Sequence, residues 1–319
     1  MAETSLVCSE EMMDESPDVS LELKEMSRYK NQLPSQVIVR HKELTALPDD
    51  NILHDKRVLP SMLVTEKVTV GYVNNYFRTV QDDLTPEMKS TVAVWMFEVC
   101  EEERMHVAVF LRAIQYMDKF LSLQRISRTQ LQLLGAVCLL ESSKIAGTTI
   151  SLQRLVSYTA DSVTPDMLLQ WEDMLLTMLN WDMYGVVSSD FVPYILQMLP
   201  KELWDNTLVT ERIKTFTAYC AVDHQFGVHL PSVIASASIA AALTPLVTTE
   251  VMDKVLYILQ SATNINIQQL KSCMEQITAK VQVTVEEKLK STKACGESPS
   301  DPETVTASSP NNGCRIKSR

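Results

Sequence analysis

Two low-polarity segments about a hundred residues apart constrain the fold of this chain more than any other feature. The first, 131–140, reads LQLLGAVCLL, and the second, 235–242, reads ASASIAAA. Such segments are expected of helices enclosed by other helices, and Gly135 and Ala136 would allow a neighbouring helix to approach closely. Because each segment would be the third helix of its group, the sequence predicts two tandem five-helix bundles, each of about a hundred residues.

Composition favours the same all-α class. The chain has 7 glycines among 319 residues, although glycine typically makes up roughly 7% of a protein. Few positions therefore suit positive φ, tight hairpins or phosphate-binding loops. The length and the 45% hydrophobic content allow a substantial core and about two domains. No segment requires a strand pair.

Two helix-start signals have the same pattern, Thr85-Pro86-Glu87 and Thr164-Pro165-Asp166. In each, the Thr can cap free amides, the Pro suits the first helical position and the acid suits the positive end of the dipole. Apolar residues follow at helical spacing. They are Met88, Val92, Trp95 and Val99 after the first signal, and Leu168, Trp171, Leu175 and Met178 after the second.

Apolar periodicity predicts the remaining helices. In the first half they span 106–121 and 151–158; in the second half they span 188–198, 206–224, 231–243, a segment around Leu256, and 266–290.

Charge and cysteine usage limit the possible functions. The net charge of −11 disfavours binding to the nucleic-acid backbone and favours basic or neutral protein partners. The seven cysteines are scattered without a C-x-x-C pair, which indicates a reducing compartment rather than a disulfide framework or a zinc ribbon. The histidines have no metal-ligand spacing, and no nucleophile motif or glycine-rich phosphate loop occurs. We therefore predict no catalytic residue, metal or cofactor.

Both ends of the chain differ from the helical body. Residues 1–50 are predicted to be mostly flexible, without a signal peptide, and no apolar run reaches membrane-spanning length, so a soluble intracellular protein is expected. In an extended peptide Leu6, Cys8 and Glu10 would project from one face and could dock in a groove, although such a string can also occur by chance. Residues 291–319 read as a disordered regulatory tail, with Ser298 and Ser309 as proline-directed phosphorylation candidates.

These motifs together resemble the D-type cyclins. Residues 88–102, MKSTVAVWMFEVCEE, are similar to the first box helix of that family, and residues 116–123 to the second; 131–136, Ser143-Lys144 and 169–181 continue the likeness. The resemblance covers 51–290. It implies an N-terminal cyclin box with a preceding helix at 51–186 and a C-terminal cyclin box at 187–290. It also implies a subunit that activates a cyclin-dependent Ser/Thr kinase without catalytic chemistry of its own.

The resemblance assigns roles to individual residues. Lys144 and Glu172 fall where the family contacts its kinase; from the residues alone, Lys144 could instead satisfy the last carbonyls of its helix, and Glu172 could be simply solvated. Leu6, Cys8 and Glu10 match the motif that docks retinoblastoma-type pocket proteins.

Met88, Val92 and Trp95 match the apolar members of the family's substrate-docking patch, but the same stripe could be plain core. Two neighbours depart from the family pattern: Lys89 stands where Arg is usual and Thr91 where Ile is usual. A smaller aliphatic surface at Thr91 would weaken an apolar groove.

The implied function is to direct the kinase to retinoblastoma-type pocket proteins and so to promote the G1/S transition. Implied partners also include kinase inhibitors and ubiquitin-ligase proteins, with localisation in nucleus and cytoplasm and no direct contact with nucleic acid or membrane. Two alternatives remain open from the sequence. A tandem-bundle transcription factor would need a basic surface and often a zinc module. An independent enzyme would need a reactive motif.

Overall fold

The computed structural model describes residues 49–69 and 76–294, and all regular secondary structure in these residues is helical. The helices are α1 (Asp50–Leu53), α2 (Val58–Thr69), α3 (Tyr76–Thr79), α4 (Pro86–Glu102), α5 (Val107–Leu123), α6 (Leu131–Ile145), α7 (Leu152–Tyr158), α8 (Pro165–Met178), α9 (Ser188–Leu196), α10 (Lys201–Trp204), α11 (Thr207–Val222), α12 (Pro231–Leu243), α13 (Thr249–Thr263) and α14 (Ile267–Ala294). Two 3-10 helices span Arg128–Gln130 and His224–Val228.

The first bundle is built around α6. This helix packs against α4, α5 and α8, and every residue of 133–143 is buried. The low polarity of the segment thus reflects a helix covered on all sides, as the sequence predicts. Gly135 permits the contact with α4, because a Cβ added there would lie 3.0 Å from Val92 Cγ1 and 3.1 Å from Met96 Sδ.

The second bundle repeats this arrangement around α12, which packs against α9, α11 and α13. Residues 235–243 of α12 are all buried. The two segments singled out by their low polarity are therefore the central helices of two tandem bundles. The all-α, two-bundle prediction is confirmed.

The Thr-Pro-acid signals mark real helix starts. Thr85 caps α4 by accepting a hydrogen bond from the Met88 amide at 3.3 Å, and Thr164 caps α8 by accepting one from the Met167 amide at 3.2 Å. The prolines occupy the first turn, where no helical amide partner is needed.

Some predicted helix ends differ from the structure. The helix predicted to end at Leu121 continues to Leu123, and the one predicted to end at Met198 stops at Leu196. The last helix runs past Lys290 to Ala294, so it extends four residues into the segment predicted to be a tail. Helix ends are weakly specified by periodicity because exposed polar residues continue or leave a helix at little cost.

Contacts between the bundles are specific. Helix α11 packs against α4 and α5, and the Ser90 hydroxyl donates to the Val222 carbonyl at 2.9 Å. Arg112 of α5 pairs with Asp190 of α9 at 2.9 Å. Helix α2, although it precedes the first bundle in the chain, packs against α9 and α12 of the second. Among the described helices, none combines the length and apolarity needed to cross a bilayer.

Candidate partner-binding surfaces

The last turn of α6 and the middle of α8 bring Lys144 and Glu172 together. Lys144 Nζ lies 2.5 Å from Glu172 Oε1, and the two side chains are 37% and 19% exposed. The two residues are 28 positions apart, so the sequence alone did not show that they pair. Because both remain accessible, the pair lies at the surface rather than in the core.

Glu141 is a third member of this charged group. Its Oε1 lies 2.8 Å from Lys144 Nζ, and its side chain is almost wholly buried. Sequence reasoning missed it, although Glu141 and Lys144 have i,i+3 spacing, which places side chains on the same helix face. Burial lowers the pKa of Lys144, but the contacts with Glu141 and Glu172 outweigh it and raise that pKa overall, so Lys144 is charged at neutral pH.

Exposed apolar side chains lie near these charged residues in the chain. Ile145 follows Lys144 and is 48% exposed, and Leu169, one turn before Glu172 on α8, is 49% exposed. We call Lys144, Ile145, Leu169 and Glu172 the Lys144 face. A surface that combines exposed aliphatic groups with a fixed ion pair is suited to binding another protein.

The stripe Met88, Val92 and Trp95 lies at the border of the first core. All three side chains are partly buried and pack against that core. The Trp95 indole N–H donates to the Tyr158 carbonyl at 3.2 Å. The stripe therefore contributes to packing and keeps part of its surface accessible, so the two interpretations of it are compatible.

Lys89 lies in the protein interior and not on the exposed side of α4. It is buried, and its ammonium pairs with Asp118 of α5 at 3.1 Å. The Tyr76 hydroxyl donates to the same carboxylate at 2.6 Å. Lys89 therefore contributes almost nothing to the accessible surface of the stripe. Thr91, by contrast, is exposed and donates to the Glu87 carbonyl at 2.9 Å.

A hydrogen-bond network that the sequence did not reveal supports Trp95. The Tyr158 hydroxyl donates to Glu103 Oε1 at 2.7 Å, and Arg154 Nε lies 2.7 Å from the same oxygen. These contacts join the end of α4 to α7. They fix the position of Tyr158, whose backbone carbonyl accepts the hydrogen bond from the Trp95 indole.

A crevice of about 280 Å³ lies where the two bundles meet. Its walls include Tyr76, Phe77, Lys89, Ile114 and Phe226. Lys89 and Asp118 both line the crevice, and their opposite charges are already paired with each other.

The described residues include no cluster that could hold a metal ion, and burial keeps three of their thiols protonated. Within 49–69 and 76–294 no group of three or more His, Cys, Asp and Glu could hold a metal ion. Burial raises the pKa of the Cys273 thiol to about 12, and it also raises the pKa values of Cys100 and Cys138. Thiols that stay protonated at neutral pH are poor nucleophiles.

Five predicted site residues lie outside the described residues. They are Leu6, Cys8, Glu10, Ser298 and Ser309.

Comparison with known proteins identifies the family. The family model described as "Cyclin, N-terminal domain" matches residues 58–184, and "Cyclin, C-terminal domain" matches 186–309. G1/S-specific cyclin-D2 of Mus musculus is 39% identical over 240 residues, which cover 73% of this chain and 82% of that protein. G1/S-specific cyclin-D3 of Homo sapiens is 38% identical over 242 residues, covering 75% and 82%. The chain belongs to the D-type cyclins.

The fold agrees with this assignment. The X-ray structure of a viral cyclin from herpesvirus saimiri matches with a TM-score of 0.64 at 20% sequence identity, covering 71% of this chain and 97% of that one. As a D-type cyclin, the protein is a regulatory subunit of a cyclin-dependent kinase at the G1/S transition and not itself an enzyme. The alternative of a transcription factor that binds nucleic acid is not supported.

Proposed function

We propose that this D-type cyclin uses the Lys144 face to bind and activate a kinase of the type used by D-type cyclins, and that it directs the kinase to retinoblastoma-type pocket proteins. The observation that carries the kinase proposal is the Lys144–Glu172 pair. It joins the two positions that the family resemblance assigns to kinase contact. Exposed Ile145 follows Lys144 in α6, and exposed Leu169 lies one turn before Glu172 in α8.

Activation would follow from positioning alone. A protein kinase is active only when the Lys–Glu ion pair that fixes its regulatory helix is formed. Helices α6 and α8 belong to a close-packed bundle, so the Lys144 face presents a rigid surface against which that mobile helix could order. The cyclin would supply contacts and no reactive group.

Substrate choice would come from two separate surfaces. Met88, Val92 and Trp95 would bind an apolar docking segment, and Trp95 is already held in place through Tyr158. Leu6, Cys8 and Glu10 would dock the pocket protein as an extended peptide, in which alternate side chains enter neighbouring pockets.

Further assignments rest on the family resemblance. We place the N-terminal box at 51–186 and the C-terminal box at 187–290. We also propose kinase inhibitors and ubiquitin-ligase proteins as additional partners, and localisation in both nucleus and cytoplasm. The G1/S-specific names of the relatives support a role in cell-cycle control.

Charge reversal tests the kinase contact. Lys144→Glu removes the cation that is proposed to contact the kinase and leaves the groups apposed to it unpaired, so we expect about a hundredfold weaker kinase binding, corresponding to about 3 kcal/mol. Binding is measured by titration with purified kinase, and circular dichroism checks the helical fold. The matched control is Lys214→Glu, which reverses a lysine of similar exposure that pairs with Glu211 in the second bundle. Equal kinase affinity for Lys144→Glu and the unmodified chain would contradict the assignment.

A second substitution tests pocket-protein docking. Cys8→Gly removes the middle side chain of the Leu6, Cys8, Glu10 motif without changing either bundle, so we expect weaker pocket-protein binding and unchanged activation of the kinase on a generic peptide. Affinity is measured by titration, with Cys314→Gly as the control. Unchanged affinity for the pocket protein would exclude this role for the motif.

A further inference from the structure

Glu141 is a buried carboxylate within the central helix of the first bundle. It is 6% exposed, and it lies within 133–143, where every residue of the helix is buried. Acidic side chains are almost never this buried unless they are paired, because the charged form loses its hydration. Its side chain therefore needs a cation nearby, and Lys144 is one.

The charges of this group do not balance. Glu141 and Glu172 both pair with the single ammonium of Lys144, so two negative charges face one positive charge. Glu172 Oε2 is shielded from solvent and accepts no hydrogen bond, and Glu141 Oε1 makes its contact with Lys144 outside hydrogen-bond geometry. A buried carboxylate oxygen without a donor costs free energy, and a second cation would remove that cost.

We propose that Glu141 is a specificity-determining residue of this D-type cyclin. Together with Glu172 it binds a basic side chain, Arg or Lys, of the partner kinase, beside Lys144. The resulting network contains two acidic side chains, Glu141 and Glu172, and two basic ones, Lys144 and that of the kinase, so its charges balance. This inference rests on the proposed kinase-binding function of the Lys144 face and names the chemistry of the partner group.

The position of the group allows such a contact. Lys144 and Glu172 are partly exposed, so a shift of the flexible Lys144 side chain opens both carboxylates to a partner. Ile145 and Leu169 would exclude water once the partner is bound, and a drier contact strengthens the electrostatic attraction. An Arg guanidinium suits the site well, because its fork can donate to two carboxylate oxygens at once.

Neutralising Glu141 tests the proposal. Glu141→Gln preserves size and an acceptor oxygen but removes the charge, so we expect about tenfold weaker kinase binding and a shallower loss of affinity with rising salt. The matched control is Glu211→Gln, which neutralises an acid that also pairs with a lysine three residues later. Both variants are checked by circular dichroism and urea unfolding. Unchanged affinity and salt dependence in Glu141→Gln would overturn the proposal.

A scan of the kinase identifies the partner group and does not depend on the Glu141→Gln variant folding. Each basic residue of the kinase's regulatory region is changed to Gln and titrated against the unmodified cyclin and against Glu141→Gln. We expect one position whose change weakens binding about tenfold in the unmodified cyclin and has little further effect in the variant. If no basic position weakens binding to the unmodified cyclin, the proposal is wrong. Failure of the unmodified cyclin to bind any cyclin-dependent kinase would instead refute the proposed function.

Discussion

Glu66 of α2 has only 1% of its surface exposed, and its partner lies 166 residues away. Its carboxylate accepts hydrogen bonds from the Ser232 amide at 2.8 Å and the Ser232 hydroxyl at 2.7 Å. Ser232 lies in the first turn of α12, where backbone amides have no helical acceptor and the dipole favours a negative charge. A single side chain of α2 thus caps the central helix of the second bundle.

The pH dependence of stability should report this buried carboxylate. Burial raises the pKa of Glu66 above its ordinary value of 4.5, and the bonds from Ser232 offset only part of that effect. The native state therefore binds a proton at Glu66 at a higher pH than the unfolded state does. This protonation stabilises the fold fully below the ordinary pKa, and the contribution is lost as the pH rises through the raised pKa of the native state. We expect the unmodified chain to gain stability relative to Glu66→Gln when pH falls from 7 towards 5.

Urea unfolding of both proteins at several pH values measures this difference in stability. The titratable groups that both proteins share contribute equally and cancel in the difference. Glu250→Gln, a change at an exposed acid in the first turn of α13, serves as the control. A difference between unmodified chain and Glu66→Gln that is constant with pH would contradict the prediction.

At the scale of helices, the contact between α4 and α6 depends on Gly135, which has no side chain. Val92 and Met96 of α4 approach Gly135 so closely that a methyl group there would be crowded by both side chains. Helix propensity alone favours Ala over Gly by roughly 1 kcal/mol in a helix interior. Packing and propensity therefore oppose each other at this position.

We expect the cost of crowding in Gly135→Ala to exceed the gain in helix propensity. Overpacking of a core costs about 1–3 kcal/mol, so the variant should lose about 1 kcal/mol of unfolding free energy despite its higher helix propensity. Urea unfolding measures the change. Adding Val92→Ala should relieve the crowding, so the double variant should lose less stability than the sum of the single variants. A Gly135→Ala protein more stable than the unmodified chain would contradict this prediction, because it would mean that Val92 and Met96 of α4 shift at little cost in free energy.

On the scale of the whole chain, the bundles are joined by packing as well as by the backbone. Helix α11 contacts α4 and α5, and α2 packs against the second bundle. The Ser90–Val222 and Arg112–Asp190 contacts cross the same boundary. Because these contacts and the Lys144 face all lie before the end of α14, kinase binding through that face should not need the residues that follow α14.

Removal of those residues should change lifetime and not kinase binding. A chain ending at Ala294 keeps all of α14 and lacks Ser298 and Ser309, where a phosphate in a polar segment would be accessible to a recognition protein. We expect unchanged kinase affinity and a longer cellular half-life, measured by pulse-chase. The full-length Ser298→Ala, Ser309→Ala variant separates phosphorylation from tail length. Equal decay of truncated and full-length chains would exclude the turnover role.

Local patterns in the sequence were sufficient for the class of fold and for most helices. Thr-Pro-acid triplets act within one turn, and the low polarity of 131–140 and 235–242 follows from their being covered on all sides. Helix ends were less predictable, as the continuation of α14 to Ala294 shows. Solvated polar residues there impose little free-energy difference between helix and coil.

The sequence also placed Lys144 and Glu172 as candidates, but only through the family resemblance. Their pairing, the participation of Glu141, the burial of Lys89 against Asp118 and the capping of α12 by Glu66 were decided by the tertiary structure. Each of these contacts, except the one between Glu141 and Lys144, joins residues on different helices. Periodicity reports which face of a helix is apolar, but the residue that a buried charge meets depends on how the helices pack, because desolvation makes a partner necessary without specifying which one.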